Sequence, residues 1–134
     1  MKLRSASTVT DSSSRSTPRP DRATAGARAE ALAADHLRAR GLTIVARNFR
    51  TRFGEIDLVA RDGVAVVFVE VRMRRSASFG GPLASITPAK RRRLALAARG
   101  YLAMLGHEPP CRFDAIVMRG LDPSTIEWHR DVFG

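Results

Sequence analysis

The chain has 134 residues, a formal net charge of +10 at pH 7 and a hydrophobic content of 44%. This length fits one domain, and the apolar content excludes a wholly disordered basic tail. No apolar run reaches the roughly 20 residues that cross a bilayer, which excludes a membrane-spanning protein. Of the 23 basic residues, only Lys2 and Lys90 are lysines, and this excess of arginine predicts a polyanionic partner. The single cysteine, Cys111, cannot form an internal disulfide or a thiolate zinc site, so we expect a reducing, cytoplasmic environment.

The first 25 residues differ in composition from the rest of the chain. They contain ten Ser or Thr, five basic residues and only scattered apolar ones. Such a segment cannot bury enough surface to offset the entropy of ordering it. We therefore predict a disordered arm over residues 1–25 and a single folded domain over residues 26–134. An extra phosphate-binding role for the arm stays open.

The remaining sequence alternates between helical and strand patterns. A first helix is predicted over residues 27–40, and a second begins at Pro88 after the N-cap Thr87 and ends before Gly106. Residues 73–86 are predicted to form a loop. Strand patterns occupy residues 42–46, 55–60, 64–72, 112–119 and 125–128. This order predicts an α/β domain with a central mixed sheet flanked by helices.

A predicted hairpin gathers acidic residues on one face of the sheet. Asp62-Gly63 is a strong signal for a two-residue turn between the second and third strands. The resulting cross-strand pairs are Asp57 with Phe68 and Glu55 with Glu70. Paired and alternate residues share a face, so one side of the hairpin carries Glu55, Asp57, Glu70 and Arg72. A three-residue loop would instead send Asp57 to the opposite face.

Carboxylates within an apolar sheet need a stabilising cation, because burying an unpaired charge is costly. Their oxygens suit Mg²⁺ or Mn²⁺, which leave coordination positions for water and a substrate phosphate and can activate water for attack on phosphorus. The residues alone also allow Glu55 and Glu70 to be solvated at strand ends or paired with arginines, namely Arg52, Arg72 or Arg74. Glu30 flanks the apolar stripe of the first helix, where it also fits an ordinary first-turn acid.

Side chains in the last strands are assigned to structure rather than to chemistry. Asp114 shares a predicted strand with Arg112, which favours an ion pair between them. Trp128 is assigned to the core. The three histidines have no spacing typical of a metal site or a nucleophile and receive no role.

Five blocks of the chain resemble the YraN family of bacterial proteins. They are AEALAADHL (29–37), RNFRTRFGEIDLVARDG (47–63), VVFVEVRMRRSASFGGP (66–82), ITPAKRRRLALAARGYL (86–102) and RFDAIV (112–117). The resemblance covers everything except the arm and the last few positions. It implies a restriction-endonuclease-like three-layer domain, similar to archaeal Holliday-junction resolvases, that binds nucleic acid.

The resemblance also implies a site of the PD-(D/E)xK type. In it Asp57 is the metal-binding aspartate, Glu70 is the glutamate of the ExK motif, and Glu30 is the acid of the first helix. Glu55 belongs to the family's GEIDL block and is a further candidate metal ligand. The expected cofactor is Mg²⁺ or Mn²⁺.

One position departs from that pattern. The third residue of ExK is Arg72, where the family has lysine, and arginine can bind phosphate but stays protonated and cannot act as a base. The only lysine of the predicted domain is Lys90, in the first turn of the second helix. The resemblance places a lysine at this position too. We predict that Lys90 reaches the carboxylate face.

A basic surface is predicted beside the carboxylates. Its candidate nucleic-acid contacts are Arg74, Arg75, Lys90, Arg91, Arg92 and Arg93. The run 90–93 also fits a solvated helix face. However, four cations at a helix N-terminus oppose the helix dipole unless an anion binds there, which favours phosphate contact.

Three functions are compatible with these features. The first is a metal-dependent endonuclease acting on branched or otherwise structured DNA. The second is a nucleic-acid-binding module whose cleavage is impaired because Arg72 replaces the lysine. The third and weakest is a basic adaptor for an acidic protein. DNA is the favoured partner, RNA and a homodimer stay open, and no membrane partner is expected.

Overall fold

The structure is a computed structural model, and it describes residues 22–74 and 86–133. Within them lie two α-helices, α1 (Arg22–Ala39) and α2 (Pro88–Leu105), and five strands. The strands are β1 (Thr43–Arg50), β2 (Glu55–Asp62), β3 (Ala65–Arg74), β4 (Cys111–Arg119) and β5 (Glu127–His129). They form one sheet in the order β1-β2-β3-β4-β5. The β3–β4 pair is parallel and the other neighbouring pairs are antiparallel, which confirms the predicted mixed α/β sheet.

One helix covers each face of the sheet and gives the domain three layers. On the α1 side the core contains Ala33, Leu37, Leu58, Val67, Val69 and Ile116. On the α2 side it contains Ile56, Val59, Phe68, Leu94 and Ala97. The central strand β3 is therefore buried on both faces, which explains why its sequence is apolar at nearly every position.

α1 begins at Arg22, five residues before its predicted start. Its first four residues fall within the segment predicted to be a disordered arm, and they are helical instead. The reason is that residues 22–25 contain two alanines and no proline, and therefore extend the Ala-rich helix. Residues 1–21 lie outside the described residues, and disorder of that part of the arm stays a prediction.

The β2–β3 hairpin turns later than predicted. Asp62 pairs with Ala65, so Gly63 and Val64 are the two loop residues. Gly63 has a φ of 63° and is the one loop residue of the two with a positive φ, as in a type II′ turn. Asp62 stays in β2, where its Oδ2 accepts a hydrogen bond of 3.1 Å from Arg112.

The predicted cross-strand pairs of the hairpin are consequently wrong. Phe68 pairs with Val59 rather than with Asp57, and the β2–β3 pairing ends at Leu58 and Val69, before Glu55 finds a partner on β3. The shift amounts to two residues. A shift by an even number of residues does not by itself move a side chain to the opposite face of the sheet.

α2 begins and ends as the sequence predicts. Thr87 is the N-cap, and its Oγ1 accepts a hydrogen bond of 3.1 Å from the backbone N–H of Lys90. Pro88 occupies the first helical position, and Gly106 ends the helix with a φ of 77°. Residues 73 and 74 of the predicted loop belong to β3, and residues 75–85 lie outside the described residues. Neither described helix is long and apolar enough to cross a membrane.

Candidate functional site

Asp57 lies where β2 and β3 stop pairing. The last paired residues are Leu58 and Val69, and beyond them the Asp57 carboxylate replaces the backbone contact. Its Oδ2 accepts a hydrogen bond of 2.8 Å from the backbone N–H of Val71. The side chain thus occupies the gap that opens between the two strands.

The backbone of β1 is distorted opposite this gap. Asn48 has a φ of 53°, a conformation that few residues other than glycine adopt. Next to it Phe49 pairs with Ile56, and both pack on the α2 side. Leu58 packs on the α1 side, although Ile56 and Leu58 would share a face in a regular strand. The sheet is therefore twisted locally around Asp57.

Glu30 of α1 reaches the same gap from one face of the sheet. Hydrogen bonds link its side chain to the side chains of Asn48 and Asp57. Burial raises the pKa of Glu30, the hydrogen bond with Asn48 opposes that rise, and the negative charge of Glu55 adds to it. Asn48 thus anchors the helix acid beside the strand acid.

Glu70 of β3 is buried, with 6% of its surface exposed, and two cations neutralise it. Its Oε2 lies 3.0 Å from Arg72 Nη1 and 3.2 Å from Lys90 Nζ. Lys90 therefore reaches the carboxylate face, as predicted from its place in the first turn of α2. Because Arg72 is two residues after Glu70 on β3, it projects on the same side of the strand.

The half-buried Asp57 and the buried Glu70 act on each other electrostatically. Burial, followed by the negative charge of Glu70, raises the pKa of Asp57 to about 7. The hydrogen bond from Val71 opposes this rise, and the charges of Glu30 and Glu55 add to it. Asp57 therefore holds a proton more readily than an ordinary aspartate, and a nearby cation would favour its carboxylate form.

These side chains line a groove of about 500 Å³ between α1 and α2, named here the carboxylate groove. Its lining residues are Gly26, Ala29, Glu30, Asp57, Glu70, Val71, Arg72, Met73 and Lys90. A smaller cavity of about 90 Å³ adjoins it on the α2 side. There Asp57, Glu70 and Lys90 meet Gly54, Glu55, Arg93 and Leu94. All four predicted acids thus border this connected space.

The residues that build this space match a known family. Residues 29–118 fit the model described as "Uncharacterised protein family UPF0102", which covers more than half of the chain. The chain belongs to this family. The matched region extends from α1 to β4 and includes every acid of the carboxylate groove.

Relatives of this UPF0102 member cover most of its length. A UPF0102 protein of Cupriavidus taiwanensis is 54% identical over 121 residues, which is 89% of each chain. A second, from Methylobacillus flagellatus, is 54% identical over 78% of this chain and 92% of its own. A third, from Nitrosomonas europaea, is 54% identical over 81% of this chain and 92% of its own. UPF0102 is the YraN family, so the predicted resemblance to that family is confirmed.

The basic run of this UPF0102 member divides around α2. Lys90 and Arg93 are one helical turn apart and face the acids. Arg91 points elsewhere, with its guanidinium 4.6 Å from the ring centroid of Phe133. Arg92 is exposed. Because successive side chains project about 100° apart around a helix, the four cations do not all face the acids, and contact of Arg91 and Arg92 with nucleic acid stays a prediction.

Arg74 does not line the carboxylate groove. It pairs with Arg119 across the parallel β3–β4 strands and borders a separate groove of about 290 Å³. Arg75 lies outside the described residues, so its predicted contact with nucleic acid stays a prediction. Of the predicted basic residues, Arg72, Lys90 and Arg93 are the ones placed beside the acids.

The donor chemistry of the groove suits a hard divalent ion. Among residues 22–74 and 86–133, no three acidic, histidine or cysteine side chains converge closely enough to enclose a metal. Asp57 and Glu70 together provide the one or two carboxylates that Mg²⁺ usually takes, with water and phosphate as its other ligands. The electrostatic cost of placing these two acids side by side is what such an ion would relieve.

Asn48 was missed by the sequence interpretation. The predicted strand ends at residue 46, whereas β1 continues to Arg50 and includes Asn48. The signal that could have identified it is the residue type, because asparagine is uncommon in strands and tolerates positive φ better than most residues.

The expected structural roles of Asp114 and Trp128 are confirmed. Asp114 is 1% exposed, and its Oδ1 lies 3.0 Å from Arg112 Nε. Trp128 packs against the α1-side core and donates a hydrogen bond of 2.9 Å from Nε1 to Asp114. These contacts hold β5 on β4 and lie apart from the carboxylate groove.

Proposed function

We propose that this UPF0102 protein binds nucleic acid across the carboxylate groove and that the groove is a divalent-metal-dependent phosphodiesterase site. The substrate class is branched or otherwise structured DNA. The observation that carries the proposal is the buried Glu70 carboxylate, which is held by Lys90 and Arg72 beside Asp57. In a surface that only binds phosphate, clustered carboxylates would weaken binding by repelling the phosphate, so their presence beside the cations favours a metal site.

Binding would depend on the cations that surround the acids. The net charge of +10 favours a polyanion, and Arg72, Lys90 and Arg93 place positive charge around the connected cavities. Contacts of this kind position a phosphate without reading sequence. Positive charge also compensates for the repulsion between the acids and the phosphate backbone.

The acids would bind the metal. Asp57 and Glu70, with Glu55 on the rim of the smaller cavity, would hold Mg²⁺ or Mn²⁺, an ion that activates water and stabilises charge on phosphorus. Glu30 would orient Asp57 through the hydrogen bond between them. Lys90 and Arg72 would bind the phosphate oxygens, and Arg72 would remain a fixed positive charge. Symmetric cleavage of a four-way junction would require a homodimer.

A nuclease assay tests this proposal directly. Four-way junctions, linear duplex, single-stranded DNA and RNA are incubated with Mg²⁺, Mn²⁺ or EDTA. We expect metal-dependent products from the junction and none with EDTA or with Asp57→Asn. Asp35→Asn, which changes an exposed acid on α1, is the matched control and should cleave normally. Cleavage that persists in Asp57→Asn would show that the activity arises elsewhere.

A second function has its own supporting observation. Arg72 and Lys90 already neutralise Glu70, and Arg72 cannot act as a base, which suits a protein that binds without cutting. In that case the junction shows a salt-sensitive mobility shift and no products with either metal. The absence of a shift with any nucleic acid at low salt would leave only the adaptor for an acidic protein.

A further inference from the structure

An aromatic side chain is partly exposed in the loop before β2, next in the chain to residues that line the smaller cavity. Phe53, in the loop between β1 and β2, is 43% exposed, and it is the one aromatic among the exposed large hydrophobic side chains of the described residues. The other aromatic side chains of those residues are buried or half-buried. Part of the ring is therefore accessible to a binding partner.

The loop that carries Phe53 is held in place by its own hydrogen bonds. Thr51 Oγ1 accepts bonds of 3.0 Å from the backbone N–H of Phe53 and 3.2 Å from that of Gly54. The backbone N–H of Thr51 donates a bond of 2.9 Å to the carbonyl of Gly54. The ring is thus presented by an ordered turn, which lowers the entropic cost of binding to it.

The same loop packs tightly on α2. A Cβ atom added at Gly54 would lie 3.3 Å from the Cβ of Arg93, so the backbone approaches the helix more closely than most side chains allow. Gly54 and Glu55 both line the smaller cavity with Asp57. Phe53 therefore lies at the rim of the cavity that contains the acids.

One arginine lies over the ring, and two more lie near the loop that carries it. The guanidinium of Arg52 lies 5.0 Å from its centroid, and Arg50 is held 3.5 Å from Glu55 on the adjacent strand ends. Arg93 lies across the smaller cavity. An accessible aromatic face combined with flanking positive charge is the arrangement that binds a stacked base and its neighbouring phosphates.

We propose that Phe53 is a stacking platform for an unpaired nucleobase beside the smaller cavity that adjoins the carboxylate groove. The inference rests on the proposed binding of nucleic acid and narrows it to strands with an unpaired base next to the bound phosphate. Bases within a continuous duplex are stacked on both faces and cannot offer one to the ring. Phe53 would therefore distinguish branched or single-stranded substrates from plain duplex.

Binding measurements with matched variants test this role. The probes are a single-stranded thymidine oligonucleotide and a blunt duplex of equal length, at fixed ionic strength. We expect Phe53→Ala to weaken binding of the single strand by roughly 5- to 100-fold, because stacking on aromatic rings contributes about that much per base, and to change duplex binding less than about twofold. Met104→Ala, which removes another exposed apolar side chain, is the control and should bind normally.

Phe53→Trp provides a readout of direct contact. The chain has one tryptophan, so the new indole adds a second fluorophore. We expect Phe53→Trp to bind the single strand about as well as the unaltered protein does. We also expect the oligonucleotide to quench the emission of the added indole. Unchanged emission at saturating oligonucleotide would contradict a stacked base.

The outcomes separate this inference from the proposal on which it rests. If the unaltered protein binds neither probe at low salt, nucleic-acid binding itself is wrong. If it binds both and Phe53→Ala binds the single strand equally well, the stacking role alone is wrong. Equal weakening for single strand and duplex would also overturn the stacking role, because it would indicate a general contribution to the surface.

Discussion

The Lys90 Nζ atom lies 3.2 Å from Oε2 of the buried Glu70. This contact joins the first turn of α2 to the central strand and brings a charge from one layer of the domain onto an acid of another. Glu70 shares the same oxygen with Arg72, so two cations compensate one buried negative charge. A phosphate bound in the groove would have to share these cations with Glu70.

Removing the ammonium should destabilise the domain. We expect Lys90→Met to lower the free energy of unfolding by about 1–2 kcal/mol, less than the loss of a sole buried partner, because Arg72 remains on Glu70. Urea denaturation measures the change. Arg92→Met, on the exposed side of the same helical turn, should cost less than about 0.5 kcal/mol. Equal losses in both variants would contradict a specific role for the Lys90–Glu70 contact.

Restoring lysine at position 72 tests whether arginine limits cleavage. A lysine can lose its proton to act as a base, whereas arginine cannot. We therefore expect Arg72→Lys to raise the rate of metal-dependent cleavage of a four-way junction by about tenfold or more. General base catalysis typically contributes about 100-fold or more, so a tenfold gain would correspond to a partly effective base. Single-turnover rates at saturating protein isolate the chemical step. An unchanged rate would indicate that Arg72 does not limit cleavage and that Lys90 already fills the role of the lysine.

The raised pKa of Asp57 predicts how stability changes with pH in the absence of metal. The pKa of about 7 in the folded state lies above the value of 3.8 for an unperturbed aspartate. The folded state thus holds a proton that the unfolded state releases. Stability from this group is complete below the unfolded pKa and is lost as the pH rises through about 7.

Asp57→Asn should remove this dependence while keeping an oxygen that can accept the Val71 hydrogen bond. We expect the variant to be more stable than the unaltered protein by about 1–3 kcal/mol at pH 8 and of similar stability near pH 4. Denaturation in EDTA at both pH values measures the difference. Asp35→Asn, at an exposed position, should show no such trend. Parallel stability curves for the Asp57→Asn variant and the unaltered protein would refute the assignment.

The positive φ of Asn48 predicts an unusual order of substitutions in a strand. Valine normally favours strands over glycine, but a β-branched residue is strained at a φ of 53°. We expect Asn48→Val to lower the free energy of unfolding by about 1–2 kcal/mol more than Asn48→Gly does. Both variants lose the hydrogen bond to Glu30, so their difference isolates the backbone. A more stable valine variant would show that β1 is regular at this position.

Asp114 should be a stability centre separate from the groove. It accepts hydrogen bonds from Arg112, from Trp128 and from the backbone N–H of Asp131. We expect Asp114→Ala to cost about 3 kcal/mol, because it leaves the Trp128 and Asp131 donors without their acceptor and Arg112 with Asp62 as its remaining acid. Thermal unfolding followed by Trp128 fluorescence measures the loss. A change below about 1 kcal/mol would mean that water replaces the carboxylate.

Much of the fold follows from local signals in the sequence. The start of α2 is predicted by Thr87 and Pro88 and its end by Gly106, because capping requirements act within a few residues. The central position of β3 follows from its continuous apolar run. The end of β1 was less accessible, since no glycine or proline adjoins Arg50, whereas the start of α1 was missed although Pro20 and Asp21 are residue types that precede helices.

The site was predictable in composition but not in detail. The residue types and the family resemblance identified Asp57, Glu70 and Lys90, and all three line one groove despite the wrong register of the hairpin. The direction of each arginine in the run 90–93 depends on how α2 is rotated against the sheet. That rotation is set by packing of Leu94 and Ala97, which local patterns do not specify.

The parallel pairing of β3 with β4 has a consequence for the order of folding. The β2–β3 hairpin closes over two residues, whereas Val66 meets Cys111 only after α2 and its flanking segments are placed. Contacts between residues close in sequence form faster than distant ones. We therefore expect the hairpin to bring Asp57 and Glu70 together before Lys90 of α2 packs against Glu70. Completion of the groove is then a late event, and a ligand that bridges β3 and α2 would mainly slow unfolding rather than accelerate folding.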